Sequence, residues 1–398
     1  MLWQALNLNI ACHAVVAWLA AHRHDVGLPD ISLETGAYCT ARKRLPEHVL
    51  PVLSGNVADD LRAQASVEHL WRGRRVLAAD GSSFSMADTA KNQAKYPQPS
   101  SQKSGCGFPI AGFVALVCLA TGAVAALTLG SQTAHDLTLF YFLRPHFIPG
   151  DVFLGDRGFC SYAEMALFQA RGVDSVCRLH QSRRPDFRRG RALAVGDHVV
   201  SWKRPGRCPG GLRAEDYAQL PATLMIREIR YQVAVKGFRT RSVTLATTLL
   251  DADAYPAEAL AELYFRRWEI EVDFRHLKTT MRVEVLRGQS PSVVEKEFWA
   301  HVLAYNLTRR LMWEAGRRMG SEPLRLSLKG ALDHIVSRWH GMSGTGSMKS
   351  YDALLSRIGA ERLPERPGRV EPRVKKRRPK SYPLMQQPRA VLKRMLTG

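Results

Sequence analysis

Between Ile110 and Gly130 the chain carries no charged residue, and that run limits its possible folds more than any other stretch. It is long enough to cross a bilayer, which takes about 20 apolar residues. Yet Thr121-Gly122 sits at its centre, and both halves are rich in Val, Leu and Phe around Gly and Ala. A membrane helix needs no turn there. Two buried strands, over about 111–119 and 123–129, do need one. The run is therefore read as a buried hairpin, with no membrane partner.

Two further apolar strands end on carboxylates. Arg75-Val76-Leu77-Ala78-Ala79-Asp80 is followed by Gly81-Ser82-Ser83, and Val152-Phe153-Leu154 runs into Gly155-Asp156-Arg157-Gly158-Phe159. Helical periodicity over about 134–144 and 161–171 and a strand over about 173–179 complete the order β, β, β, α, β, α, β. In an antiparallel meander followed by parallel strands, the first and fourth strands end side by side at the sheet centre. Asp80 and Asp156 would then be neighbours. Taken singly, each is open to a plainer reading: Asp80 as a turn aspartate before glycine, Asp156 as a turn residue paired with Arg157.

A third carboxylate lies in the stretch Tyr264 to Lys278, read as one helix. At about 100° per residue, Arg267, Glu271 and Lys278 fall roughly 300°, 340° and 320° round from Tyr264, so the four share one stripe. Glu262, Glu269 and Asp273 fall at roughly 140° to 180°, on the far side. One acid among basic and hydroxyl donors suits a metal and a phosphate. The other reading is a surface helix laced with i,i+4 ion pairs. Packed on the sheet, this helix could bring Glu271 to Asp80 and Asp156. Two aspartates and a glutamate are hard oxygen donors able to hold two divalent ions about 3.5–4 Å apart, the arrangement that serves phosphodiester cleavage.

The formal net charge of +21 supplies a substrate class, since such an excess suits a polyanion, nucleic acid first. The seven cysteines are scattered with no C-x-x-C pair, which speaks against a disulfide framework or structural zinc and for a reducing cytoplasm. No G-x-x-x-x-G-K-[ST], H-E-x-x-H or G-x-S-x-G motif is present.

Organisation follows from the remaining composition. Residues 1–70 read as helical, with helices near 11–21 and 50–69. The apolar N-terminus has no basic leader, and its abrupt start at Met1 leaves a truncated or re-started frame open. Residues 71–179 and 243–345 form the two parts of the core, the second with helices near 293–315 and 327–340. Between them, 180–242 is rich in Arg, Gly and Pro, with β-like runs at 197–203, 223–229 and 231–236. Trp202 in this insertion reads as buried, or alternatively as a platform for an unpaired base. From Glu361 to Gly398 twelve Lys and Arg face three Glu, so 346–398 reads as a basic, phosphate-binding tail.

Tyr264, Arg267, Glu271 and Lys278 match in full the Y-(2)-R-(3)-E-(6)-K signature of the DDE transposases of bacterial insertion sequences, in the IS-four family. Asp80-Gly81-Ser82 resembles that family's first-aspartate motif and Asp156-Arg157-Gly158-Phe159 the second, with Phe159 where Tyr is common. The likeness extends from about residue 30 to the C-terminus, through Thr35-Gly36-Ala37-Tyr38 and the segment 366–372. It implies an α/β mixed-sheet, RNase H-like catalytic core with a β-rich insertion. It also implies cut-and-paste transposition with Mg²⁺, for which Mn²⁺ often substitutes. Water attacks the end phosphodiester and the freed 3′-hydroxyl then attacks, in some members closing a hairpin first. By this resemblance Asp80, Asp156 and Glu271 hold the metals and Tyr264, Arg267 and Lys278 contact phosphates. The partners implied are double-stranded DNA (terminal inverted repeats and target) and a second copy in a homodimer, in a bacterial, nucleoid-associated setting. Two other readings stay open: a remnant that binds DNA without cutting, and an RNase H-like nuclease that hydrolyses without strand transfer.

Overall fold

The computed structural model describes residues 1–210, 212–232, 242–340, 348–365 and 383–397. Its first strand, β1 (Val76–Met86), does not end at Asp80 as expected; Asp80 lies inside it. Gly81-Ser82-Ser83 reads as a turn locally, but a full antiparallel partner overrides that signal. β2 (Ile110–Cys118) pairs with β1 from Leu77↔Cys118 to Ser85↔Ile110. β3 (Val124–Ser131) returns along β2, and Gly122 turns the chain at φ +67°, a backbone that costs glycine little. The uncharged run is thus a buried hairpin. Among the described residues no helix is long and apolar enough to cross a membrane.

β4 (Val152–Gly155) and β5 (Asp174–Arg178) lie parallel to β1, giving the order β3-β2-β1-β4-β5. Three antiparallel strands followed by two parallel ones is the sheet of an RNase H-like core. The sheet does not stop there. β6 (Arg191–Ala194), β7 (Asp197–Lys203), β8 (Thr223–Gln232) and β9 (Ser242–Thr247) extend it, with β9 hydrogen-bonded antiparallel to β5. β10 (Val285–Leu286) adds to the far end of β1. The strand expected at 231–236 is the end of β8 as far as Gln232; residues 233–236 lie outside the described residues.

Side chains alternate across a strand, so the sheet has two faces. In chain order the first helices are α1 (Leu2–Leu6), α2 (Cys12–Asp25), α3 (Gly36–Arg44), α4 (Val49–Gln64) and α5 (Ala90–Lys95). Leu77, Ala79 and Phe153 point to a core shared with the next two helices. α6 is Asp136–Phe140, running on as a 3₁₀ turn to His146 where one helix over 134–144 was expected, and α7 is Tyr162–Gln169. α8 (Ala214–Ala218) lies in the insertion.

Val76, Ala78, Phe84 and Met86 point to the other face, into the larger core. It is covered by α9 (Ala257–Phe265), α10 (Trp268–Arg275), α11 (Pro291–Arg318), α12 (Leu328–His340) and α13 (Met348–Ala360). Phe274 meets Phe113 edge-on at 5.3 Å, and Phe84 stacks on Phe298 at 4.7 Å, clamping α10 and α11 to the sheet. Burying each ring contributes about 1.5–3 kcal/mol. The N-terminal helices dock on α11, where the buried Arg42 Nη2 meets Glu297 Oε1 at 2.5 Å and Lys296 Nζ donates to the carbonyls of Lys43 and Leu45. Of the basic C-terminal region, Arg362 and α14 (Arg389–Thr397) are described, while segment 366–372 and the Lys and Arg from 373 to 380 lie outside the described residues.

Candidate active site

The stretch Tyr264 to Lys278 is not one continuous α-helix. α9 ends at Phe265, a turn at Arg266–Arg267 separates it from α10, and a π-helical turn covers His276–Thr280. At the turn the backbone tightens to i→i+3, with Arg267 N–H donating to Tyr264 O at 3.1 Å and Ile270 N–H to Arg267 O at 3.2 Å. A uniform 100° step is therefore wrong for this segment, yet its result for the acids holds. Asp273 turns inward to Arg309 and to the Tyr305 hydroxyl (2.9 Å), and Glu269 pairs with Arg266 at 2.9 Å. Both are away from Glu271, which stays exposed.

Asp80 shares the sheet face of Ala78 and Ser82, the face α10 covers. The Arg267 guanidinium spans the gap: Nη1 lies 3.6 Å from Asp80 Oδ2 and Nη2 donates to Glu271 Oε1 at 3.0 Å. Lys278 Nζ reaches β1 from the π turn and donates to Ser82 Oγ at 3.2 Å. Asp156 follows β4 directly, and continuing the Ala78↔Leu154 register places it level with Asp80. Its Oδ1 accepts from Gly158 N–H at 2.7 Å, closing an Asx turn. Phe159, 2 % exposed against Phe140, anchors that turn in the second core, so an apolar ring suffices there.

The carboxylates act on one another. Burial lifts the Asp80 carboxyl to about 6; Arg267 and the Gly81 N–H oppose the rise, and Asp156 and Glu271 add to it. Tyr264 is buried beneath the turn, its hydroxyl held protonated by desolvation, with the Arg267 guanidinium 5.8 Å from its ring. Three residues that the sequence reading passed over join the edge. Arg178, last residue of β5, is half-buried and faces Arg157, Tyr264, Tyr231 and Arg267; burial and then Arg157 lower its pKa. Its signal was its parity, two residues after the buried Val176. Tyr231 of β8 is pushed up to about 12 by burial. Asp136 packs beside Gly81 from the opposite face: a Cβ on Gly81 would sit 2.7 Å from Asp136 Oδ2, so a larger residue there would displace the Asp136 carboxylate. Burial, then Asp156, raises the Asp136 pKa, and only its place in the first turn of α6 marked it.

Among the described residues no three His, Cys, Asp or Glu converge closely enough to hold one ion. The donors still fit divalent cations taken in pairs. Asp156 lies level with Asp80 on the neighbouring strand, and Glu271 shares the Arg267 guanidinium with Asp80. Mg²⁺ commonly takes one or two carboxylates and completes its octahedron with water and phosphate oxygens. Trp202 takes no part: it is 4 % exposed, its Nε1 donates to Glu228 Oε1 at 2.9 Å, and Arg183 covers its ring. Trp202 is the buried core tryptophan its sequence context favoured, and the alternative of a platform for an unpaired base falls away.

The profile of a family described as Transposase DDE domain matches residues 71–307. The chain is 25% identical over 395 residues to the transposase InsG for insertion sequence element IS4 of Escherichia coli strain K12, covering 96% of this chain and 86% of that one. It is 37% identical over 60 residues, 15% of this chain and 16% of the other, to the putative transposase InsL for insertion sequence element IS186A of the same strain. Among solved structures, a chain in the piggyBac transposase synaptic complex with hairpin DNA is similar at a TM-score of 0.43 and 12% identity, covering 93% of this chain and 76% of that one.

Proposed function

The chain belongs to the transposase DDE domain family and is a DDE transposase of an insertion sequence, and we propose that Asp80, Asp156 and Glu271 run its two phosphoryl transfers. The observation that carries this assignment is Arg267 linking Asp80 to Glu271 while Asp156 lies level with Asp80 on the next strand. In this reading Asp80 and Asp156 hold one Mg²⁺ and Asp80 and Glu271 a second, with Mn²⁺ able to substitute. Bound there, the ions supply an activated water or 3′-hydroxyl and neutralise charge on the leaving oxygen.

The chain's own groups do the rest. Burial of Asp80 makes its ionised form costly, which favours a cation beside it. Arg267 points both Nη groups at the carboxylates, which sets a guanidinium, suited as a bidentate donor to phosphate, at the edge of the site. Lys278 on Ser82 adds a point charge beside the same strand. Tyr264, protonated by its burial, backs Arg267 and offers a hydroxyl donor. The DNA partners in this proposal are the terminal inverted repeats and target DNA, bound by a homodimer in a bacterial cytoplasm. The helical residues 1–70 assist end recognition, and 180–242 and 346–398 contribute basic surface around core segments 71–179 and 243–345.

The test is a Mg²⁺-dependent assay on labelled ends of the element with a target plasmid. The expected outcome is end cleavage followed by joining of the 3′ end to the plasmid, lost in Asp80→Ala, Asp156→Ala and Glu271→Ala while DNA binding persists. Cleavage without joining would make the protein a nuclease, binding without cleavage a remnant. Full cleavage by Glu271→Ala would sink the residue assignment.

A further inference from the structure

On the far side of the Asp156 turn lies a cavity of about 350 Å³, bordered by Gly158 of that turn, by His135 before α6 and by the segment after β5. Both of its histidines accept a backbone N–H at Nδ1. His135 Nδ1 accepts from the Leu137 N–H at 3.2 Å, so in the neutral ring Nε2 carries the proton. His180 Nδ1 accepts from the Ser182 N–H at 3.2 Å and lies 2.7 Å from Ser182 Oγ, again leaving Nε2–H as the free donor. A turn closed by Arg183 N–H to His180 O at 2.9 Å brings Arg183 to the same wall. The Arg183 guanidinium lies 3.6 Å over the Trp202 ring, and Trp202 is fixed in turn by Glu228. Arg183 is half-buried and makes no ion pair with a carboxylate among the described residues. Among the described residues no Asp or Glu lines the cavity.

Two imidazoles and a positioned guanidinium, with the Glu228 carboxylate that acts on Arg183 already bonded to His198 and Trp202, describe a site for an anion. The apolar part of the wall, from Leu137, Tyr162 and Pro205, could not accept a free, fully hydrated ion as readily as a phosphate attached to a sugar and base. We propose that this cavity is a phosphate subsite for a DNA strand, holding the backbone next to the phosphodiester that Asp156 serves. The inference rests on the transposase reading above, and it assigns His135, His180 and Arg183 to substrate positioning on the side of Asp156 away from Arg267 and Lys278. The subsite fixes the strand on both flanks of the carboxylates, which sets the angle at which the phosphodiester meets them.

The test uses the full chain and a labelled duplex carrying the element's own end, with single neutral methylphosphonates walked along each strand. One position near the cleaved bond should weaken wild-type binding about tenfold, and Arg183→Gln should weaken binding of the unmodified duplex by a similar factor. The two losses should not add, because both remove the same contact. Ser182→Glu, a substitution at an exposed position, should lower affinity by placing a carboxylate at the mouth, which keeps the test decisive if Arg183→Gln unfolds. Inorganic phosphate alone should compete only weakly; competition as strong as that of the duplex overturns a strand subsite. Wild-type affinity in both variants, or fully additive losses, overturns the subsite while leaving the transposase reading intact if the wild type still cleaves. A wild type that shows the coupled losses but no cleavage supports the subsite and overturns the activity.

Discussion

The proton on Asp80 links the stability of the free protein to its affinity for metal. The carboxyl is pushed to about 6 in the fold from an ordinary 3.8, chiefly by burial. The folded state thus binds the proton more tightly than the unfolded chain, and ion-free stability falls as pH rises from about 4 to about 6. Above that window the ionised Asp80 costs about 1–3 kcal/mol. Asp80→Asn should remove this slope and raise the melting temperature of ion-free protein at pH 8. Metal has the opposite dependence, since a divalent ion must displace the proton. Thermal stabilisation by Mn²⁺ should therefore appear only as pH climbs through about 6, and should be absent in Asp80→Asn. A flat metal response from pH 5 to 8 would contradict the burial argument. Asp80, Asp156 and Glu271 were legible as candidates from their local signals, an apolar run closing on a carboxylate for the two aspartates and a helical stripe for the glutamate, although Asp80 proves to lie inside β1 and Glu271 within α10. The sequence could not expose Asp136 or Arg178, whose importance lies in what packs beside them: a glycine Cα in one case, a cluster of other cations in the other.

At the scale of the element, two of the three acids of α10, Glu271 and Asp273, lie two residues apart in opposite surroundings. Glu271 is exposed and, among the described residues, bonded to Arg267 alone, whereas Asp273 is buried with Arg309 and Tyr305. Asp273→Asn breaks a buried pair and should cost about 3–5 kcal/mol, seen as a lower urea midpoint, while the folded fraction still cleaves DNA. Glu271→Gln should leave the midpoint within about 0.5 kcal/mol and abolish cleavage. The reverse pattern would mean that the helix faces are misassigned. Helical periodicity separated these faces correctly even though the segment is broken by a turn and a π turn. Both sides of each break keep the same sheet-facing contacts, such as Leu263, Ile270, Phe274 and Leu277 in one core. The breaks themselves were illegible, because backbone tightening at Arg266–Arg267 leaves no mark in residue type. They matter for Lys278, which the π turn delivers to Ser82.

For the whole molecule, the largest departure from the sequence reading is the insertion. Arg, Gly and Pro content marked 180–242 as a change of character, but only pairing partners reveal that β6 to β9 lengthen the core sheet. Val176↔Thr247 and Cys177↔Ala246 join β9 to the strand that ends in Arg178. Arg227, fully buried on β8, pairs with Asp197 and donates to Tyr255 O at 2.7 Å, tying the insertion to the chain just before α9. Through that residue the insertion is fastened to the element that leads into the candidate active site. Arg227→Ala leaves Asp197 buried without its partner and should cost about 3–5 kcal/mol. If sheet continuity couples insertion to core, calorimetry should show the transition containing the core move down as a unit, with DNA cleavage lost at a correspondingly lower temperature. An insertion that melts early while the core transition stays at its wild-type temperature would show two separate modules. In that case the strand ladder between β5 and β9 would be too weak to carry load from the basic insertion to Arg178 and the carboxylates.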